Sequence, residues 1–297
     1  MSEAPNPLIA DFEPHRAWLG GLAYRMLGSQ AEAEDVVQEA WLRWREVAHE
    51  AVEQPRAYLS RTVTRLCLDR LKSAQAQREV YVGPWLPEPV VDEAGHWQAG
   101  PDVASEFASD LSYALMLALE RLSPLERAAF LLHDVFDTGF EEIAQTLGRS
   151  PAACRQLASR ARDRVREARP RFSVSIRDCE RLAAAFLLAA QSGNADQLKQ
   201  LLAEDAQLIS DGGGRVSAAG IPVRGRDRII KLMQGLRRKY PLPEDARVEF
   251  TPINGQAGCI VRQADGQPIQ TIAFEFAGDG HVSALYIVRN PDKLRHL

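Results

Sequence analysis

The stretch Gly139–Arg169, GFEEIAQTLGRSPAACRQLASRARDRVREAR, limits what the chain can fold into more than any other. Phe140, Ile143, Ala144 and Leu147 recur at helical spacing, and Gly148 suits a left-handed helix cap. Two residues on, Ser150 is a natural N-cap, and Pro151 fits a first helical turn, where its missing N–H costs nothing. The second helix then carries Ala153, Cys154, Leu157, Ala161 and Val165 inward. Arg155, Arg160, Arg162, Arg164, Arg166 and Arg169 are left for its other faces. Two helices joined by a Gly-containing turn, the second rich in arginine, describe a helix-turn-helix that could lie in a DNA major groove. A surface αα-hairpin with solvated charges is the alternative that this stretch alone leaves open.

Charge distribution favours the first. The 297 residues carry a net charge of −4, yet residues 149–171 hold eight arginines against two acidic residues. Residues 79–120 hold eight acidic residues and no Lys or Arg. Nucleic-acid attraction follows local potential rather than the global sum, so one basic face on an acidic protein is enough. The length predicts two or three domains with cores of their own. The four cysteines, Cys67, Cys154, Cys179 and Cys259, form no CxxC pair, so neither a disulfide framework nor a zinc site is expected and a reducing cytoplasm is. His133 has no second ligand at metal spacing, and no metal or cofactor is expected. The N-terminus lacks the pattern of a signal peptide, and no apolar run approaches the ~20 residues of a membrane span.

Residues 8–80 read as all-helical. Ser29-Gln-Ala-Glu32 is a capping box opening a helix with Val36, Val37, Ala40, Trp41, Trp44 and Val47 on one stripe. Pro55 opens another, with Leu59, Val63, Leu66 and Leu71 inward and Arg56, Arg61, Arg65 and Arg70 outward. Residues 79–101 form a linker rich in Pro, Gly and acid. Trp85 and Leu86 inside it suggest a segment that docks on a partner surface, where a plain extended spacer would need neither. Asp102–Leu122 reads as an amphipathic helix, and Ser123-Pro124-Leu125-Glu126 as a second capping box. After Arg171 the chain changes character: an apolar helix over Cys179–Ala190 breaks at Gly193-Asn194. Hairpin signals follow at Asn254-Gly255, Asp265-Gly266 and Asp279-Gly280. Helices followed by an antiparallel sheet predict an α+β domain of roughly 120 residues.

AEDVVQEAW, a Pro-started arginine-bearing helix and the later helix-turn-helix together resemble an extracytoplasmic-function sigma factor of RNA polymerase. The resemblance implies four parts: residues 1–80 as sigma region 2, 81–104 as linker, 105–172 as sigma region 4 and 173–297 as a C-terminal regulatory domain. In such a factor Glu34, Asp35, Val37, Gln38, Glu39 and Trp41 would grip core polymerase through its β and β′ subunits. Arg56, Arg61 and Arg65 would meet the −10 element; the family usually has Trp and Asn where this chain has Tyr58 and Arg65. Arg155, Gln156, Ser159 and Arg160 would read the −35 element, with Arg149 and Arg162 on its phosphates, since arginine donates bidentately to guanine and phosphate.

Three further motifs resemble those of the sigma-factor group with a SnoaL-like (NTF2-like) C-terminal cone. They are WLPEP, with Trp85, Leu86 and Pro87; Asp211-Gly212-Gly213-Gly214-Arg215; and Asn290-Pro291-Asp292-Lys293-Leu294. The last two are polar signatures outside the strand patterns, and they are expected to hold the C-terminal domain against the −10 domain and the linker, in place of a separate anti-sigma protein. Relatives of the cone fold that catalyse use a carboxylate base and an oxyanion donor, for which Asp211, Tyr240, His281 and Tyr286 are the candidates here. No acid–base pair can be placed among them, so a protein-contact role is expected ahead of small-ligand sensing, and either ahead of catalysis. Two other readings stay open: an operator-binding regulator that needs no polymerase, and a SnoaL-type enzyme fused to DNA-binding helices.

Overall fold

The computed structural model describes residues 7–47, 52–79, 81–91, 110–168, 176–243 and 245–297. They fall into two units: an all-helical one of residues 1–79 and 93–169, and an α+β one of residues 80–92 and 170–297.

In the helical unit, α1 (Pro7–Leu27), α2 (Gln30–Arg45) and α3 (Pro55–Glu79) come first. Ser29 caps α2 by accepting from the Glu32 N–H at 3.2 Å. Val36, Val37, Ala40 and Trp44 of α2 are buried with Leu59, Val63, Leu66 and Leu71 of α3, as their spacing predicts. Next come α4 (Tyr113–Glu120), α5 (Pro124–Phe130), a π-turn over Leu131–Val135, α6 (Phe140–Leu147) and α7 (Pro151–Ala168). The helix expected over Asp102–Leu122 is shorter than its apolar pattern. Ser112 caps it by accepting from Leu115 N at 3.3 Å, and Asp110 turns the preceding chain by accepting from Ser112 N at 2.9 Å. Residues 102–109 lie outside the described residues. The capping box at Ser123 is complete, with Glu126 accepting from the Ser123 N–H at 3.0 Å.

The α+β unit has α8 (Ile176–Ser192), α9 (Ala195–Leu201), β1 (Leu202–Asp211), β2 (Val223–Arg224), α10 (Arg226–Lys239), β3 (Arg247–Phe250), β4 (Gly258–Arg262), β5 (Pro268–Phe276) and β6 (Val282–Val288). The six strands form one sheet in the order β2-β1-β6-β5-β4-β3. β1 and β6 pair in parallel, and every other pairing is antiparallel. The sheet is therefore mixed rather than antiparallel as expected, because β1, which follows directly on α9, pairs in parallel with the last strand, β6. All three expected hairpins form, with φ of 53° and 69° at Asn254-Gly255, as an Asn-Gly turn requires. Phe186 of α8 packs edge-on against Phe274 at 5.5 Å, and Leu198, Leu202, Leu208, Ile229 and Leu285 close the core between helices and sheet. This is the α+β architecture expected of a SnoaL-like cone.

The alternation of the strands decides what each face can do. On β1, Leu208 and Ser210 face the helices; on β6, Leu285 and Ile287 do the same. Asp211 and Asn290 consequently point to the opposite face, where residues 81–91 lie.

Candidate functional site

Two sites emerge, one in each unit. In the helical unit, Gly148 ends α6 in the left-handed conformation (φ 63°, ψ 41°). Ser150 Oγ then accepts from the Ala153 N–H at 3.2 Å to start α7. Cys154, Ala158, Ala161 and Val165 are buried, while Arg155, Gln156, Ser159 and Arg160 are exposed on one face. Arg149 is exposed at the turn and donates to the carbonyl of Gly148 at 3.1 Å. Arg155 lies 5.4 Å from the Phe140 ring and 3.6 Å from Glu141, an exposed pair that holds it weakly. Arg162 departs from its neighbours: its guanidinium is ion-paired with Asp134, and that bond raises its pKa. It anchors α7 to the π-turn. His133 makes a 3.1 Å contact from Nδ1 to the Thr138 carbonyl and packs on Phe140 at 4.0 Å.

On α2, Glu34, Asp35 and Gln38 are exposed together with Leu42, an apolar side chain 48% open. Val37 is buried, Trp41 lies against Phe12 at 5.0 Å, and Glu39 pairs with Arg43 at 2.6 Å. On α3, Arg56 lies over the Trp18 ring at 4.9 Å. Arg61 and Arg65 reach the last turn of α6: Arg61 donates to Gln145 Oε1 at 2.9 Å, and Arg65 to the Gln145 and Thr146 carbonyls at 3.3 and 3.4 Å. The negative end of a helix attracts cations, so α6 occupies two of the three arginines expected at DNA. Two buried arginines that the sequence pattern did not single out join the same halves. Arg127 donates to the Met26 carbonyl at 2.6 Å and pairs with Glu120 at 2.8 Å, and Arg25 reaches the Asp110 carbonyl at 3.4 Å.

In the α+β unit, the three motifs far apart in sequence converge on one carboxylate. Asp211 Oδ1 accepts from Tyr81 Oη at 2.6 Å and Gly213 N at 3.0 Å. Its Oδ2 accepts from Leu86 N at 2.9 Å and Lys293 Nζ at 2.8 Å. Lys293 also donates to the Leu86 carbonyl and sits 4.3 Å from the Trp85 ring and 5.0 Å from the Tyr81 ring. Asn290 Nδ2 donates to Tyr81 Oη at 2.9 Å, and its side-chain oxygen starts the turn over Pro291–Lys293. Asp211 is fully buried, so these four donors replace the water it has lost.

The remaining motif residues complete this anchor. Leu86 and Pro87 are buried, and full burial of Leu86 alone contributes about 1.5–3 kcal/mol. Leu294 is buried, and Arg215 meets Asp292 at 3.3 Å on the exposed rim. Sequence reasoning missed the second half of the anchor. There Asn254 behaves like a strand backbone, accepting from Val90 N at 2.9 Å and donating to the Val90 carbonyl at 2.8 Å. His296 meets the Pro89 carbonyl at 2.8 Å. A buried Asn in an Asn-Gly turn was the available signal, and the turn explained it away.

The glycines are required by close approach. A Cβ at Gly212 would stand 2.3 Å from the Val216 carbonyl oxygen; one at Gly213, where φ is +58°, would stand 2.2 Å from Asn290 Nδ2. Gly213→Ala is expected to cost more than about 1–2 kcal/mol in thermal melting, whereas Gly148→Ala, with a similar φ and open space around it, should cost about 1–2 kcal/mol. Equal losses would show that the clash with Asn290 is relieved freely.

Burial first, and the bond to Asp211 second, raise the pKa of Tyr81 above its ordinary value of 10.0. An unfolded tyrosine loses its proton near pH 10 while Tyr81 in the fold keeps it. Its contribution to stability is therefore complete below about pH 10 and declines as the pH rises above it. Tyr81→Phe should melt with a shallower loss above about pH 10 than the unaltered chain; identical alkaline slopes would remove Tyr81 from the account. Tyr286, bonded to Glu275 at 2.8 Å and also raised, supplies a parallel contribution that this substitution leaves in place.

Among the described residues no helix is long and apolar enough to cross a membrane. The family description "Sigma-70 region 2" matches residues 12–77, and "Sigma-70, region 4" matches residues 112–165. The chain is 38% identical over 291 residues to the ECF RNA polymerase sigma factor SigJ of Mycobacterium tuberculosis, covering 96% of this chain and 92% of that one. It is 34% identical over 227 residues to a probable ECF RNA polymerase sigma factor, SigI, of the same species, covering 75% of each. The crystal structure of Mycobacterium tuberculosis extracytoplasmic function sigma factor SigJ superimposes with a TM-score of 0.73 at 34% identity, covering 97% of this chain and 98% of that one. Region 2 thus falls on α1–α3, region 4 on the helix-turn-helix, and the whole length including the α+β unit has its counterpart in SigJ. The chain belongs to the extracytoplasmic-function sigma factors, transcription initiation factors rather than enzymes.

Proposed function

We propose that the chain binds core RNA polymerase through the exposed face of α2 and directs it to promoters, with the α+β unit modulating that activity from within the same chain. Glu34, Asp35, Gln38 and Leu42 form the polymerase-facing surface toward the β and β′ subunits. Arg155, Gln156, Ser159 and Arg160, with Arg149 at the turn, read the −35 element; Arg56, Arg61 and Arg65 serve the −10 element. The observation that carries the regulatory part is the anchor at Asp211, which ties the segment between the two sigma regions into the fold of the C-terminal unit. A linker held at Leu86 and Val90 cannot extend freely, and sigma regions 2 and 4 must be spaced to meet two promoter elements. The contacts from Arg61 and Arg65 to α6 support the same reading, since both arginines must leave them to reach DNA. The proposal places the protein in the cytoplasm, where its polymerase is, and substitutes the tethered unit for a separate anti-sigma factor. Tethering suits that role, because an intramolecular partner acts at roughly millimolar effective concentration.

Purified full-length chain is expected to co-migrate with core polymerase, which an operator-binding regulator would not do. In promoter-dependent transcription, truncations ending near residue 172 and near residue 289 should both differ from the full chain. The second removes only Asn290–Leu297, and with it Lys293. If both truncations transcribe like the intact protein, the C-terminal unit is a passenger.

A further inference from the structure

The face of the sheet opposite the anchor encloses a cavity of about 750 Å³, within the range of small-molecule sites. Its wall is apolar where α8 and α10 face the sheet, with Leu187 and Leu232 opposite Leu208, Ile272 and Ile287. Its charged lining has one sign. Arg237, Lys239 and Arg289 are cationic, and among the described lining residues none is Asp, Glu, His or Cys. Arg289 is the most telling. One guanidinium nitrogen, Nη1, donates to the Ser217 carbonyl, while Nε is buried with no hydrogen-bond partner. Burial lowers its pKa, offset in part by the phenol of Tyr240, so its charge is poorly solvated. A half-buried cation against hydrocarbon, with no carboxylate among the described residues that line the cavity, is stabilised by an incoming anion.

We propose that this cavity binds an apolar molecule bearing one carboxylate, the carboxylate on Arg289 and the hydrocarbon between Leu187, Leu232 and Ile272. The site fits binding without chemistry. A cone-fold isomerase would use a carboxylate as its base; strand alternation turns Asp211, the carboxylate candidate from the sequence, to the other face, where four donors hold it. The same alternation puts the ligand one residue from the linker anchor on both strands. Ser210 and Arg289 line the cavity, while their neighbours Asp211 and Asn290 hold Tyr81. Ser217 and Ala218 also line the cavity, three and four residues after Gly214. The binding claim stands independently of whether the α+β unit controls transcription.

Isothermal titration of the full chain with decanoate, decan-1-ol and decyltrimethylammonium tests it, with cholate as a ring-bearing acid. Decanoate or cholate should bind saturably and at least about tenfold tighter than the alcohol, with the ammonium weakest. Whichever acid binds better assigns an open-chain or a ring-bearing ligand. Arg289→Leu should abolish the preference for the acid over the alcohol, and Arg289→Lys should restore part of it. Leu232→Trp, which fills the cavity and leaves the charge, should remove binding of every probe and so tests the site even if the Arg289 variants fold poorly. Equal affinity for acid and alcohol, absence of saturable binding by both acids, or a carboxylate preference that survives in folded Arg289→Leu overturns the proposal.

Discussion

Asp211→Ala is expected to destabilise the α+β unit by about 3–5 kcal/mol, a fall in melting temperature on the order of 10 °C. The size follows from what is left behind. Lys293, its side chain 9% exposed, loses its carboxylate partner at 2.8 Å, and the N–H of Leu86 and the hydroxyl of Tyr81 lose their acceptor in the same step. A buried charge without its partner costs several kcal/mol, far more than the pair contributes over an apolar replacement. Lys293→Met should cost less, since Asp211 keeps three donors and the methionine still packs on Trp85. The double variant Asp211→Ala/Lys293→Met is expected to be more stable than the sum of the single losses predicts, the sign of a directly coupled pair. Additive losses would mean that the two residues stabilise the anchor separately. Because the anchor holds Leu86, the same variants should alter transcription in the direction taken by the truncation near residue 289. Loss of stability without that shift would separate the fold of the unit from its regulatory role.

Arg155→Ala/Arg160→Ala is expected to weaken promoter binding by about 10²-fold or more, from about 1–3 kcal/mol for each lost arginine contact to a base. For contacts that fall on phosphates, the loss is smaller and the salt dependence flattens by about one unit of slope per contact. Both side chains are exposed, so the variant should melt close to the unaltered chain, with a small loss from the attraction of Arg160 to the buried Glu126. Arg162→Ala should do the reverse. It removes the ion pair with Asp134 that ties α7 to the π-turn, lowering stability more than specificity. Full promoter affinity and salt slope in the Arg155/Arg160 variant would withdraw α7 as the −35 reader.

The helix-turn-helix was legible in sequence because its determinants are local. Gly148 ends one helix, Ser150 and Pro151 begin the next, and the inward positions follow from a period of 3.6 residues. The hairpins were legible for the same reason. Less local features were missed or misjudged. The start of α4 was placed too early because an apolar stripe outweighed two polar caps at Asp110 and Ser112. Helix α10 went unnoticed, although Ile229, Ile230 and Met233 carry its pattern, because seven charged residues surround them. Arg61, Arg65 and Arg162 each read as outward arginines, and packing against α6 and the π-turn gave each a protein partner.

The amino-acid order alone determined most helices of both sigma regions, the exposed arginine face of α7 and the existence of an α+β unit after them. It also marked WLPEP, DGGGR and NPDKL as unusual, without saying that they meet. Tertiary structure alone decided that, since residues 81–91 join the C-terminal unit across more than a hundred residues of sequence. It decided too that Asp211 is a structural ion-pair partner and not a base in the cavity. The reason is the two-residue period of a strand: one position separates a carboxylate facing the linker from a serine facing the cavity, and only the register of β1 against β6 says which is which.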